Sequence, residues 1–414
     1  MSGYLSNAKR VVAAMALASF ALVGISSVAS AGSLHPSSWH RTDTPSSFSV
    51  AEVLAGSSLT HTFTASASSA SVSAPLSNID DLTQLGNELF VAFQNGVGPN
   101  GEASAAGNLD STVVEFTPSG RVLGQWDVAG RIDGVVADPI LHGVILTVNE
   151  DGNSSLYVID TSAPSAQQVT HFSYDSGLTH GGGTDSLTML HGQILISASN
   201  PGTSLISPPN ATFPAVYTAL LDFTTKVAKL TPLFFDEDAA KVANVGSTNG
   251  TITHLALTDP DSSAVVPDSA TRFAGAFELT SQGDQQQIFV RHAGTSRQTL
   301  SVLSLSQSVD DTAWALSRLG RLYSTDSATD SVDVVSGRFS TTQPYVVATP
   351  CNANSAPSVC LAPNYLATVN PWSGVVSPVT VTGVAYSPKG GLIFVAGSEC
   401  GDGRHNHYGE HHRR

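Results

Sequence analysis

RIDGVVADPILHGVILTVNE, residues 131–150, is the stretch whose grammar the rest of the chain repeats. GVVA at 134–137 and VILTV at 144–148 are short β-branched runs. Asp138-Pro139 and His142-Gly143 between them are turn formers, so the stretch reads as two strands and a tight connection. LYVI at 156–159, ended by Asp160, and QVTHF at 168–172 follow as two more strands. One unit is therefore four strands.

The same order recurs on both sides. Before it come IDDLTQLGNELFVAFQNG, STVVEF and RVLGQWDV; after it come GTDSLTMLHGQILISASNPG, AVYTALLDF and KVAKLTPLFF. Asp81, Asp133 and Asp185 lie 52 residues apart each time, and Asn95, Asn149 and Asn200, which end the second strands, lie 54 and 51 apart. Four strands repeating at roughly 40 to 50 residues is the signature of propeller blades. The expectation is an all-β propeller of six four-stranded blades over 79–400, with seven blades, or a β-sandwich with coincidental spacing, as alternatives.

Residues 1–31 carry Lys9 and Arg10, an apolar run over 11–23 and Ala29-Ser30-Ala31. That is the form of a secretory signal, too short in its apolar part for a spanning helix, and it places the mature protein outside the cell or in the cell envelope. Residues 32–78 are rich in Ser, Thr and Ala, with ASASSASVSAP reading as a flexible linker. FSVAEV at 48–53 and THTFT at 60–64 interrupt that segment as candidate outer strands. An N-terminal strand lent to the blade that the C-terminus begins would close the ring and remove its open edges. GVAYSPKGGLIFVA at 383–396 reads as two inner strands of that last blade.

Between these regions the period is less regular. DEDAAKVAN at 236–244 reads as a short helix with an acidic start. Residues 247–306 give a blade with QQIFVRHAG and TLSVLSLS as second and third strands. Residues 309–337 read as three strands in succession, and 341–379 as outer strands of the same blade or parts of another.

The formal charge is −15, with only five lysines. Nucleic acid and anionic lipid are therefore excluded as expected partners, because both would be repelled. The expected partner is an extracellular ligand or protein. Cys351 and Cys360 flank a short Pro- and Asn-bearing loop and are the expected disulfide, leaving Cys400 over. The last residues, 401–414, form a His-rich tail in which His405, His407, His411 and His412 are candidate metal ligands, with a plain polar tail as the alternative.

In a propeller, the loops entering inner strands and those leaving second strands lie on one face, because a strand pair returns the chain to the side where it began. Here both kinds of position are polar. The starts carry Asp80, Asp81, Asp133, Asp185, Asp310 and Asp311; the exits carry Asn95, Asn149 with Glu150, Asn200, His292, Asp326 and Glu399. Asp81, Asn95, Asp133, Asn149, Asp185, Asn200, Asp311 and Asp326 are the candidate ligand-binding set, and Asp133, Asp185 and Asp326 the candidate metal ligands. Converging carboxylates and amides suit a hard cation such as calcium or magnesium. Asp and Asn are also what turns use to bond their own backbone. Long loops at 96–110 and 201–214 would overhang the same face.

Nucleophile motifs fail. His180 and the three glycines after it match the oxyanion-hole run of lipases, but no G-x-S-x-G elbow accompanies it, and no Walker A loop, H-E-x-x-H or complete EF-hand loop occurs. LYSTDSATDSVDVVSG at 322–337 and GVAYSPKGGLIFVAG at 383–397 resemble the NHL and SMP-30/gluconolactonase-like group of six-bladed propellers. The resemblance implies a divalent cation held by Glu, Asn and Asp at the channel mouth, with Asp326 in the matching run, and implies lactone hydrolysis; the group's early Glu-Gly-Pro motif is absent. Two functions follow as expectations: a binding propeller without catalysis, or a metal-dependent hydrolase of lactones or esters. Fold alone does not choose between them.

Overall fold

Residues 47–178, 182–201 and 213–397 are described by the computed structural model. The expected signal segment, the His-rich tail with His405, His407, His411 and His412, Cys400, Glu399, His180 and most of the 201–214 loop lie outside them. Apart from two 3-10 turns, the regular elements described are all strands. No helix among the described residues is long and apolar enough to cross a membrane.

The chain begins with β1 (Phe48–Ala55) and a separate hairpin, β2 (Thr60–Thr64) with β3 (Ser71–Pro75). The run expected to be a flexible linker thus supplies a strand: Val72 and Phe63 alternate against their polar neighbours as a hairpin requires. Three meanders follow: β4 (Ile79–Leu85), β5 (Glu88–Phe93), β6 (Asp110–Phe116) and β7 (Val122–Ala129); β8 (Ile132–Asp138), β9 (Gly143–Val148), β10 (Ser155–Asp160) and β11 (Val169–Tyr174); β12 (Thr184–Leu190), β13 (Gln193–Ala198), β14 (Pro214–Asp222) and β15 (Val227–Phe235). The second and third join into one eight-stranded sheet through a parallel contact of β11 with β15.

The next blade departs from the simple meander. β16 (Ala239–Val242) and β17 (Ile252–His254) come first in the chain yet sit on its outer edge, and β18 (Pro260–Val265), β19 (Phe277–Ser281), β20 (Gln286–Arg291) and β21 (Thr299–Ser304) follow from the inside outward. The helix expected at 236–244 is therefore a strand, because its backbone pairs with β17 and β21. QQIFV and TLSVLS are third and fourth strands, not second and third, which moves His292 to the end of a third strand.

The last two blades are interlaced. β22 (Val309–Trp314) heads one of them, but the chain then leaves for β23 (Leu319–Asp326) and β24 (Ser331–Arg338) of its neighbour. It returns for β25 (Pro344–Ala348), β26 (Tyr365–Val369) and β27 (Val376–Pro378), which complete the sheet of β22. β28 (Val381–Gly383) pairs parallel with β1, and β29 (Pro388–Ala396) becomes the innermost strand beside β23. The expectation of three successive strands at 309–337 in one blade, and of two inner strands at 383–396, is corrected in both cases. β1 pairs antiparallel with β24, so the N-terminal strand closes the sheet whose inner strand comes from the C-terminal end.

The second strands are continuously apolar because both faces are covered. In β5, Leu89, Val91 and Phe93 face one inter-sheet core and Phe90 and Ala92 face the next. Side chains alternate across a strand, so a sheet between two neighbours needs apolar residues at every position. Six such cores separate the strand groups in turn. The inner strands β4, β8, β12, β18, β22 and β29 each pack beside the next, and β29 packs beside β4. At that junction Gly390, with φ of 66°, and Gly391 carry β29 past the backbone of Asp80, Asp81 and Leu82 where a Cβ would collide.

Phe48 on the closing strand is 5 % exposed and packs on Phe339 and Tyr345, with ring centroids 5.0 and 6.0 Å away. Phe48→Ala should cost about 3–5 kcal/mol in urea unfolding, the range for emptying a buried aromatic site. A loss below about 1 kcal/mol would mean that the closing strand does not hold the ring.

Candidate functional site

Each inner strand is irregular near its first residues, at Ile79/Leu82, Ile132/Gly134, Thr184/Leu187, Pro260/Ser262 and Val309/Thr312, and β29 shows the matching shift against β23. A bulge bends a strand and re-aims its side chains. Here bulges recur where the aspartates stand, and the result is a cavity of about 450 Å³ at the channel mouth. Asp80, Asp81, Asp133, Glu150, Asp185, Asp259, Asp261, Asp310 and Asp311 line it, together with Arg131, Lys389, Gln282 and Asn352. Deeper positions on the same strands, among them Val136, Leu187, Met189 and Ile393, make its aliphatic part.

The aspartates divide into two kinds. Asp81 accepts the amides of Leu82 at 2.7 Å and Val135 at 2.6 Å, and so ties β4 to β8. Asp311 accepts the amides of Thr312 at 2.9 Å and of Leu392, and ties β22 to β29 in the same way. These two hold the ring together. Asp133 differs: its Oδ1 accepts Gln94 Nε2 at 3.2 Å and lies 3.3 Å from Arg131 Nε, whereas its Oδ2 is sealed from solvent without a hydrogen-bond partner. Arg131 also pairs with Glu150.

Burial and like charge act together on these groups. Burial pushes Asp80 up to about 7 and Asp81 to about 8. Asp133, Asp185, Asp261 and Asp311 are all held well above the usual carboxylate range, first by burial and then by the charge of their neighbours. For Asp261 a hydrogen bond shared with Asp310 adds to the rise. Among the described residues no three His, Cys, Asp or Glu side chains converge closely enough to hold a metal ion. The carboxylates stand on separate strands around the cavity.

Asp81, Asp133, Asp185 and Asp311 of the sequence-expected set line the cavity; Asn95, Asn149, Asn200 and Asp326 do not. The three asparagines have φ of 52°, 68° and 47°, the left-handed conformation that Asn tolerates better than most residues. Asn95 Oδ1 accepts the Ser77 amide at 3.2 Å and Asn149 Oδ1 the Arg131 amide at 2.9 Å, so each fastens a second-strand exit to an inner-strand start. Their regular spacing reflects that turn. Asp326 sits one strand out from the channel, beside Pro388, and its oxygens accept the amides of Ala328 and Ser387 at 2.9 and 2.7 Å.

Asp259, Asp261, Arg131 and Lys389 belong to the cavity without having been singled out. Asp261 follows Asp185 by 76 residues instead of 52, because β16 and β17 are inserted ahead of their own inner strand. An Asp-Pro-Asp ahead of an alternating run was the available signal. The Cys351–Cys360 disulfide, as expected from the spacing, pins the loop that brings Asn352 to the cavity, where its Nδ2 donates to Gln282 Oε1 at 2.9 Å. Asn354 of the same loop donates to Thr258 Oγ1 and Asp284 Oδ1, at 3.0 and 2.9 Å.

No family model matches the chain. No curated protein matches it by sequence. Similar solved structures include Pseudomonas aeruginosa periplasmic gluconolactonase PpgL, at 15% identity over 78% of this chain and 90% of that one, with a TM-score of 0.41. A putative 6-phosphogluconolactonase from Bacteroides uniformis is 11% identical over 85% of this chain and 100% of that one, TM-score 0.41. Kuenenia stuttgartiensis hydrazine synthase is 13% identical over 71% of this chain, TM-score 0.35, and the match spans only 63% of its length.

The raised carboxyls set the sign of the pH dependence. A folded-state value above the ordinary 3.8 means that the folded protein binds more protons than the unfolded chain, so this contribution is fully present below that ordinary value and is lost as pH rises through about 7 and 8 for Asp80 and Asp81. Thermal stability should therefore rise on acidification from about pH 8 to about pH 5. Asp185→Asn should stabilise the protein by ~1 kcal/mol at the alkaline end and flatten the profile. Denaturant unfolding across that range checks both.

Proposed function

We propose that the protein is an exported β-propeller that binds a ligand or partner at the acidic mouth of its central channel. The observation that carries this reading is the cavity built by bulged strand starts, which gathers nine carboxyl side chains from successive inner strands and the loops beside them around one opening. The signal-like segment at 1–31 supports export, and the Cys351–Cys360 bond suits an oxidising compartment. Two measurements test the reading. Protein recovered from culture medium should begin at Gly32, and native mass spectrometry should find a bound species on it that Asp133→Asn loses. A retained leader, or identical mass profiles for both proteins, overturns it.

A second reading, hydrolysis of a lactone or ester, has one specific observation in its favour. Asp80 lines the cavity, is lifted to about 7 by burial, and has Lys389 as the leading charge that opposes the rise. A carboxyl near neutrality suits general acid–base work, which typically contributes 10²–10⁴-fold, on the order of three decades. No step is assigned to a metal. Turnover of gluconolactone or a phenyl ester, assayed with calcium, magnesium, manganese or zinc added, should fall by about a hundredfold in Asp80→Asn. Rates equal to the buffer blank under every condition remove this reading and leave the binding one.

A further inference from the structure

We propose that the ligand is a linear organic cation with two or more ammonium groups, a di- or polyamine, whose charges pair with carboxylates on different inner strands. The inference rests on the mouth being a binding site, and it names the chemical class of what binds. Nine carboxyl side chains line the cavity against two cations, and one of those cations, Arg131, is already committed to Glu150 and Asp133. With these carboxyls ionised, the cavity is balanced only by further positive charge.

How that charge must be distributed follows from where the carboxylates stand. Asp133, Asp185 and Asp261 start three successive inner strands, and among the described residues no three acidic or imidazole groups close on one point. A single bare ion finds no such three-ligand cluster here. Ammonium groups joined by a chain can reach several at once, each donating up to three hydrogen bonds. Asp133 and Asp185, only 8 % and 7 % exposed, are two of the cavity's buried carboxyls that such groups would meet.

Two further features fit a chain rather than a compact ion. Val136 and Met189 continue the walls below the carboxylates and give methylene groups an aliphatic surface. Lys389 occupies the sixth inner-strand start, where the other five have aspartate, and it forms no ion pair within the described residues. Its positive charge repels an ammonium, so the ligand's charged end lies toward Asp133 and Asp185 and a neutral end or methylene faces Lys389. Because burial and neighbouring charge raise these carboxyls well above the usual range, uptake of a cation near neutral pH should release protons to solvent.

The test is calorimetric titration of the intact protein near neutral pH with spermidine, 1,5-diaminopentane, n-pentylamine, magnesium chloride and sorbitol, each in two buffers of different ionisation enthalpy. Affinity should fall in the order triamine, diamine, monoamine, and the buffer dependence should report proton release. Asp185→Asn should weaken the diamine by about tenfold or more, as loss of one charge-assisted hydrogen bond implies, while Lys389→Ala should not weaken it. Should Asp185→Asn fail to fold, as judged by its melting curve, Asp133→Asn replaces it. Magnesium binding as tightly as the diamine, or sorbitol binding while the amines do not, overturns the polyamine assignment and leaves the mouth as a site. Silence from every probe, with no bound species in native mass spectrometry, removes both.

Discussion

Among the described residues, the second strands of the blades are apolar on both faces, and that single constraint governs the remainder of the structure. A sheet with two such faces is stable only between two others, so the chain must supply neighbours until the series meets itself. Both ends of the chain contribute to that closure, because β1 from the N-terminal side and β29 from the C-terminal side are strands of the same sheet. The Gly390-Gly391 pair is the local condition for it, since any side chain there would meet the backbone of the first inner strand.

Closure has an electrostatic consequence. The inner strands all start on one side, and the residues at those starts are brought around one opening whatever their charge. Five of the six carry aspartate, which the bulges aim inward or toward the next strand's amides. Asp81 and Asp311 are satisfied by backbone donors and belong to the framework. Asp133, Asp185 and Asp261 are the groups whose burial and mutual repulsion the framework must tolerate. Unfavourable arrangements of this kind persist where surrounding structure over-determines them, and they cluster at sites of function.

The meanders from β4 to β15 were legible because each strand there pairs with its neighbours in sequence, which preserves the spacing of Asp81, Asp133 and Asp185. Later in the chain pairing stops being local. β16 and β17 precede their own inner strand, and the passage from β22 to β23 crosses between blades before β25 returns. Nothing in the residues of 309–337 marks that crossing, because β23 and β24 look the same whichever inner strand they join. The site was half legible for a related reason. Aspartates at strand starts recur as a set, but the asparagines at strand exits obey the same period for a conformational cause, a left-handed residue at each exit turn, and only their side-chain partners separate the two.

The acidic mouth is defined above all by its raised carboxyls: burial pushes Asp80 up to about 7 and Asp81 to about 8, and burial with neighbouring charge holds Asp133, Asp185, Asp261 and Asp311 well above the usual range. Infrared titration of the carboxyl C=O stretch reads this directly, since protonated and ionised carboxyls absorb at different frequencies. A protonated-carboxyl band should persist to about pH 7, disappear on unfolding and shrink in Asp185→Asn. A band lost entirely by about pH 5, as for ordinary aspartates, would contradict that protonation.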